Sequence, residues 1–128
     1  MIVVDASVLI DVFIGQAVAA KRLATTELCA PHLVDSEVGA VLRRHTLGGQ
    51  TDPDLVAVAF DDYLSIEITR HPHLPLMSRA WELRDTISFT DALYVTLAEV
   101  LDAPLLTLDA RLARVPGTRA TIEVPGTP

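Results

Sequence analysis

The chain has one cysteine, one lysine, few aromatic residues and no surplus of positive charge, and each shortage excludes something. A lone Cys29 cannot build an internal disulfide framework, which agrees with a reducing compartment. Within ELCAPH it reads as a small core residue. The longest apolar runs, such as Ser7 to Gly15 and Leu55 to Phe60, are broken by Asp11 or are too short for a bilayer, which needs about 20 residues. No basic leader stands at the N-terminus, so the expected setting is cytoplasmic, with no membrane role. Three Phe, one Trp and two Tyr give little sign of an aromatic platform for stacking bases. Seventeen acids against ten Lys and Arg leave a formal charge of -7, the reverse of the basic footprint that phosphate binding usually leaves.

What is present is a chain of 128 residues, half of them apolar, enough for one domain that buries about two-thirds of its unfolded surface. Residues 1–124 are expected to form it, with the PGTP of 125–128 as a short tail. Nine of the ten cations are Arg, grouped as Arg43 and Arg44, Arg79 and Arg84, and Arg111 with Arg114 and Arg119; a solvated surface explains any one of them. Short β-branched or leucine-rich runs alternate with helical patterns. Strands are expected at Ile2 to Asp5, Glu27 to Ala30, Ile66 to Thr69, Leu105 to Leu108 and, at an edge, Thr121 to Val124. Helices are expected over Ser7 to Ile14, Ala17 to Thr25, Leu33 to His45, Asp54 to Leu64, Leu76 to Asp85 and Ser88 to Asp102. Strands apolar on both faces and separated by helices predict an α/β fold with a mostly parallel sheet of four to five strands flanked by helices.

In such sheets ligands bind in the crevice beyond the carboxyl ends of the strands. MIVVDAS and LLTLDA each end an aliphatic run on an acid, so Asp5 and Asp109 should emerge at the same edge. Glu37 falls inside the apolar half of the helix Leu33 to His45, between Leu33 and Val41. It is either a functional acid or a buried carboxylate paired with Arg44 or another Arg, since an uncompensated buried acid is costly. Asp35 lies on the opposite side and reads as solvated. Asp91 in SFTD matches an S-x-x-D helix start capped by Ser88. The helix it opens is apolar around most of its circumference, which brings Asp91 close to the sheet. His71 and His73 flank Pro72 in what reads as a solvated loop.

Taken in order, DAS near the N-terminus, EV in VDSEVGAVLRR, SFTDALYVTLAE and LLTLDARL closely resemble the four blocks of PIN-domain ribonucleases, in particular the VapC toxins of bacterial toxin-antitoxin pairs. The resemblance spans Met1 to about Val124. It implies the PIN fold and an acidic site of Asp5, Glu37, Asp91 and Asp109 that holds Mg²⁺ or Mn²⁺ and cuts single-stranded regions of structured RNA of the tRNA or rRNA class. On this reading Asp5, Asp91 and Asp109 are metal ligands, and Glu37 is a ligand or a base that orients water. Ser7 and Thr107 support the site, although Ser7 is equally explained as a cap of the helix beginning at Val8.

The resemblance also implies a small VapB-type antitoxin that covers the groove, a homodimer, and the early apolar helix with Val12, Phe13 and Ile14 as an antitoxin contact or as core. Four carboxylates within about 4 to 8 Å of one another would repel by roughly 2 to 4 kcal/mol per pair at an effective dielectric near 20, a conflict that a hard divalent ion with oxygen ligands removes. Arg43, Arg44, Arg111 and Arg114 follow site acids and are the expected RNA contacts. Two rival readings remain: a non-catalytic module whose acids are structural, and a phosphoryl-accepting receiver-like domain. The second lacks a late strand-end Lys, since the one lysine is Lys21.

Overall fold

Ile2–Val4 forms β1 because three consecutive aliphatic residues, two of them valine, suit an extended segment buried on both faces, and all three side chains are fully inaccessible. The computed structural model describes residues 1–126, and Thr127 and Pro128 of the expected tail lie outside the described residues. Around β1 stand β2 (Leu28–Pro31), β3 (Thr69–His71), β4 (Leu105–Leu106) and β5 (Ile122–Glu123), all parallel, in the order β3-β2-β1-β4-β5. Val3 pairs with Cys29 on one side and Leu105 on the other. The chain therefore builds outward from β1 through β2 to β3, then returns to lay β4 on β1's other flank. That reversal of direction between β1 and β4 is the topological switch point at which such sheets bind ligands.

The helices are α1 (Ala6–Ile14), α2 (Ala20–Ala24), α3 (Leu33–Leu47), α4 (Pro53–Ser65), α5 (Met77–Glu82) and α6 (Phe89–Leu101), with 3₁₀ turns at Leu74–Leu76 and Ala110–Arg114. Every residue of α6 from Ala92 to Ala98 is buried, as its nearly all-round apolar pattern requires, and the helix packs on β1 and β2. Cys29 is a buried thiol within the core.

Several elements differ from expectation for local reasons. The second helix shrinks to Ala20–Ala24 because the Asp11 carboxylate accepts from the Gln16 and Val18 amides at 2.9 Å each, holding this stretch in a turn with Ala17 at φ 55°. The third strand starts at Thr69 and not Ile66: the isoleucines of IEIT pack against the core as the chain leaves α4, but ladder pairing begins only at Cys29 opposite Thr69. Pro75 fits the start of a 3₁₀ turn, so the following helix begins at Met77 and ends at Glu82. β4 ends at Leu106, two residues earlier than expected.

Asp35 is not a solvated bystander. Its carboxylate accepts from Arg70 Nε at 2.8 Å and Nη2 at 2.9 Å and from the Tyr63 hydroxyl at 2.5 Å, tying α3 to β3 and α4. Nor do the histidines sit in an open loop. His73 Nε2 accepts from the Leu33 amide at 2.7 Å, satisfying one of the free N–H groups that open α3, and His71 Nε2 is buried.

Arg70, and then Tyr63, hold the Asp35 carboxyl below the usual carboxylate range. A lowered acid adds stability that is complete above its unfolded-state titration and is lost as pH falls through the folded-state value. Asp35→Asn is therefore expected to cost about 0.5 to 1 kcal/mol at pH 7, discounted because both partners are partly exposed, and the gap to the parent should close in acid. Urea denaturation of both proteins at pH 7 and pH 3 measures it; a gap that persists at pH 3 contradicts the assignment.

Candidate active site at the carboxyl edge of the sheet

Asp5 follows β1 directly and is the N-cap of α1, in an extended conformation with its side chain accepting from the Val8 amide at 3.2 Å. An apolar strand that runs into a capping acid ends abruptly because the carboxylate satisfies the first free amides of the next helix. The cap expected of Ser7 is thus supplied by Asp5, and Ser7 does something else. Its hydroxyl donates to Asp5 Oδ1 at 2.5 Å and accepts from the Leu108 amide at 3.2 Å. Thr107, wholly buried, repeats the arrangement, donating to Asp5 Oδ2 at 2.5 Å and accepting from the Asp109 amide at 3.0 Å. Two hydroxyls thus tie the acid at the end of β1 to the segment that follows β4, across the switch point.

Asp109 is the N-cap of the 3₁₀ turn Ala110–Arg114 and not the last residue of a strand. Asp91 lies in the first turn of α6, where Ser88 Oγ accepts from its amide at 3.1 Å, so the capping expected from SFTD is present together with the approach to the sheet. Glu37 is half-buried on α3, and its partner is not Arg44. Tyr94 Oη donates to Glu37 Oε1 at 2.5 Å. The tyrosine is on α6, one turn beyond Asp91, with its ring in the core; its hydroxyl as an anchor for Glu37 is a contact that apolar periodicity cannot reveal.

Three of the four acids are held above the usual carboxylate range, and in each burial is the main cause. For Asp5 this outweighs the bonds from Ser7, Thr107 and Val8, and the charge of Asp91 adds to it. Glu37 is raised further by Asp5 and Asp91 against the opposing bond from Tyr94. Asp91 is raised by Asp109, with Ser88 and Arg111 opposing. Asp91 thus acts on Asp5 and Glu37, Asp5 on Glu37, and Asp109 on Asp91 alone. Asp109 differs: Arg111 binds it through Nε at 3.0 Å and Nη2 at 2.7 Å and holds it below its ordinary range.

This donor set suits a hard divalent cation. It is all oxygen, it is concentrated at a buried edge, and among the described residues neither Asp5, Glu37 nor Asp91 is tied to a guanidinium or ammonium group. The acids are nevertheless not closed around a common point: among the described residues no three acid, His or Cys side chains form a group tight enough to hold a metal ion. Asp109 faces Arg111 in its place.

Of the expected RNA contacts, Arg43, Arg44 and Arg114 are exposed and form no ion pair among the described residues, whereas Arg111 is engaged with Asp109. Arg44 lines a groove of about 570 Å³ between α1 and α3 that also takes in Ser7 and Glu37. Val12 and Phe13 face a larger groove of about 1120 Å³ at the amino ends of β2 and β3, away from the acids. Among the described residues no helix is long and apolar enough to cross a membrane.

Thr107→Val keeps the shape of this residue but leaves the Asp109 amide without its acceptor and removes a donor from Asp5. A loss of about 1 to 3 kcal/mol is expected by denaturant titration, with the Asp5 carboxyl pushed higher still in a carbon-13 NMR titration. An unchanged Asp5 titration contradicts the bridging role.

Comparison with known proteins returns one consistent answer. The PIN domain family matches residues 2–118. The chain is 40% identical over 127 residues to Ribonuclease VapC1 of Mycobacterium tuberculosis, covering 95% of this chain and 96% of that protein. The fold is shared with VapBC2 from Rickettsia felis, solved bound to a DNA fragment from its promoter, at a TM-score of 0.71 and 14% identity over 98% of this chain and 99% of the other. It is shared too with Mycobacterium tuberculosis VapC20, described as a Sarcin-Ricin loop cleaving toxin, at a TM-score of 0.65 and 20% identity over 92% and 96% of the two chains.

Proposed function

The chain belongs to the PIN-domain family, among the VapC ribonucleases, and on that premise we propose that it is a metal-dependent endoribonuclease toxin whose active site is Asp5, Glu37, Asp91 and Asp109. The observation that supports this reading is that three acids, each raised mainly by burial and none paired with a basic side chain among the described residues, stand on the elements at the carboxyl edge of the sheet: Asp5 after β1, Glu37 on α3 after β2, and Asp91 in the first turn of α6. A surface ion-pair network gives each acid its own cation; here only Asp109 has one. That favours the nuclease over a module with structural acids.

Asp5, Asp91 and Asp109 would hold Mg²⁺ or Mn²⁺, with Asp109 exchanging Arg111 for the ion. When bound, a divalent cation there would neutralise the acids, activate water and offset charge on the phosphate. The residues do the rest. Ser7 and Thr107 fix both oxygens of Asp5, so its lone pairs point along set directions. Tyr94 holds Oε1 of Glu37, leaving Oε2 to orient a water or take its proton, a role that the raised basicity of this carboxylate suits. In the net reaction the water oxygen bonds to phosphorus, the phosphorus–oxygen bond to the leaving nucleotide breaks, and the water proton passes by way of a carboxylate to the departing oxygen, which leaves as a hydroxyl. Arg43, Arg44 and Arg114 contact flanking phosphates, which meets the objection raised by the net charge of -7.

The substrate proposed is a single-stranded region of structured RNA, of the tRNA or rRNA class. The controlling partner is a VapB-type antitoxin that seats a cationic side chain among the acids and uses the groove beside Val12 and Phe13, with the toxin acting in the cytoplasm as a homodimer.

Purified protein should cleave a hairpin RNA with Mg²⁺ or Mn²⁺ and stop in EDTA. Glu37→Gln should lower kcat by about 10² to 10⁴ if it is the base, and Asp5→Asn should abolish cleavage while circular dichroism stays native. Full cleavage by Asp5→Asn contradicts the site.

Metal binding has its own readout. Because an ion that binds only the folded state stabilises it by mass action, millimolar Mn²⁺ should raise the thermal midpoint of the parent and leave that of Asp5→Asn unmoved. Equal shifts in both proteins contradict the assignment.

A further inference from the structure

We propose that Trp81, with Arg84 beside it, is a stacking site for an unpaired RNA base flanking the cleaved bond; this rests on the ribonuclease reading. Trp81 is the chain's single tryptophan and stands on α5 with 59% of its surface exposed, unusual for a ring of this size with no core role. The Arg84 guanidinium lies 4.7 Å from the ring centroid, inside the range of a cation–aromatic contact. Arg84 donates only to the Trp81 carbonyl, at 2.9 Å, and forms no ion pair among the described residues, while the neighbouring Glu82 is already taken by Arg79. The ring meets Phe89 edge-on at 6.5 Å, and Met77, Ser78, Trp81 and Phe89 enclose a depression of about 480 Å³.

The position relative to the acids gives the depression its meaning. Phe89 is the first residue of α6 and Asp91 the third, so at about 100° per residue they leave the same helical turn on opposite sides. A base resting on Trp81 would thus lie on the other side of this helix start from the Asp91 carboxylate, the place of a flanking nucleotide on a strand that crosses the end of α6. An exposed indole joined to an acid-free guanidinium matches single-stranded nucleic acid: the π-face takes any base, and the cation takes a neighbouring phosphate. The depression itself is apolar, and it is the Arg84 guanidinium over the ring, without an acid partner among the described residues, that favours RNA over a second copy of the chain.

A single tryptophan makes the test direct. In the Glu37→Gln protein, used with Mg²⁺ to keep RNA intact, a short single-stranded RNA should quench and shift the tryptophan emission with saturation. In the otherwise native chain, Trp81→Ala should raise KM about five-fold to a hundred-fold with kcat nearly unchanged, and Trp81→Phe should restore most of the loss. Arg84→Gln should lower the slope of log affinity against log salt by about 1. If RNA is bound and cut normally but emission does not move and Trp81→Ala is silent, the stacking site is wrong and the ribonuclease stands. If Trp81→Ala instead turns a dimer into a monomer with no emission response to RNA, the patch is a contact between copies and the proposal falls. If the parent neither binds nor cuts RNA, both readings fall together.

Discussion

Everything at the carboxyl edge depends on how one buried carboxylate is held. Asp5 closes β1, caps α1 through the Val8 amide, and receives the hydroxyls of Ser7 and Thr107, each of which in turn accepts an amide from the segment after β4. Three donors on one acid are not enough to bring it into the ordinary carboxylate range, because burial costs more than they return. The acid is locked in place but remains electrostatically unsatisfied. Its neighbours Glu37 and Asp91 share that condition, and their charges aggravate one another. A fold keeps such an arrangement when something absent from the chain itself, a cation, supplies the missing charge.

The contrast with the rest of the molecule sharpens this. Elsewhere the acids that enter ion pairs do so with arginine: Asp35 with Arg70, beside Tyr63, Glu82 and Glu99 with Arg79, Glu99 also with Arg119, and Glu123 with Arg22. Four of the nine arginines are used in this way and Arg111 is paired with Asp109 of the site, leaving Arg43, Arg44, Arg84 and Arg114 without ion pairs among the described residues. The three burial-raised acids without a cation, Asp5, Glu37 and Asp91, and the unpaired arginines are thus separate populations. The first sits at the switch point and suits a divalent ion; the second is exposed and suits phosphate.

The order of elements and the parallel sheet are legible in the sequence, and so is the local setting of the acids proposed for the site, because each leaves a local mark. A β-branched run stopping at Asp5, an acid on an apolar helix face at Glu37 and a serine three before Asp91 can all be read from neighbours in the chain. What escaped was set by distant partners. Asp35 looked solvated because Arg70 and Tyr63 are 35 and 28 residues away. The Glu37 partner was sought among arginines, yet it is the hydroxyl at the tip of Tyr94, whose ring is fully explained as core. A count of six aromatic rings gave no hint that the one tryptophan is outside. Strand ends differ from expectation by two or three residues because apolar side chains run beyond the ladder: Ile66 and Ile68 precede the first pair of β3, and Leu108 follows the last pair of β4.

The central claim is that Asp5, Asp91 and Asp109 share one divalent ion, with Asp109 released from Arg111. Anomalous diffraction from crystals grown with Mn²⁺ tests it most directly. The account predicts a single strong peak bounded by those three carboxylates at the end of β1; a peak elsewhere, or none while Asp109 stays bound to Arg111, would contradict it.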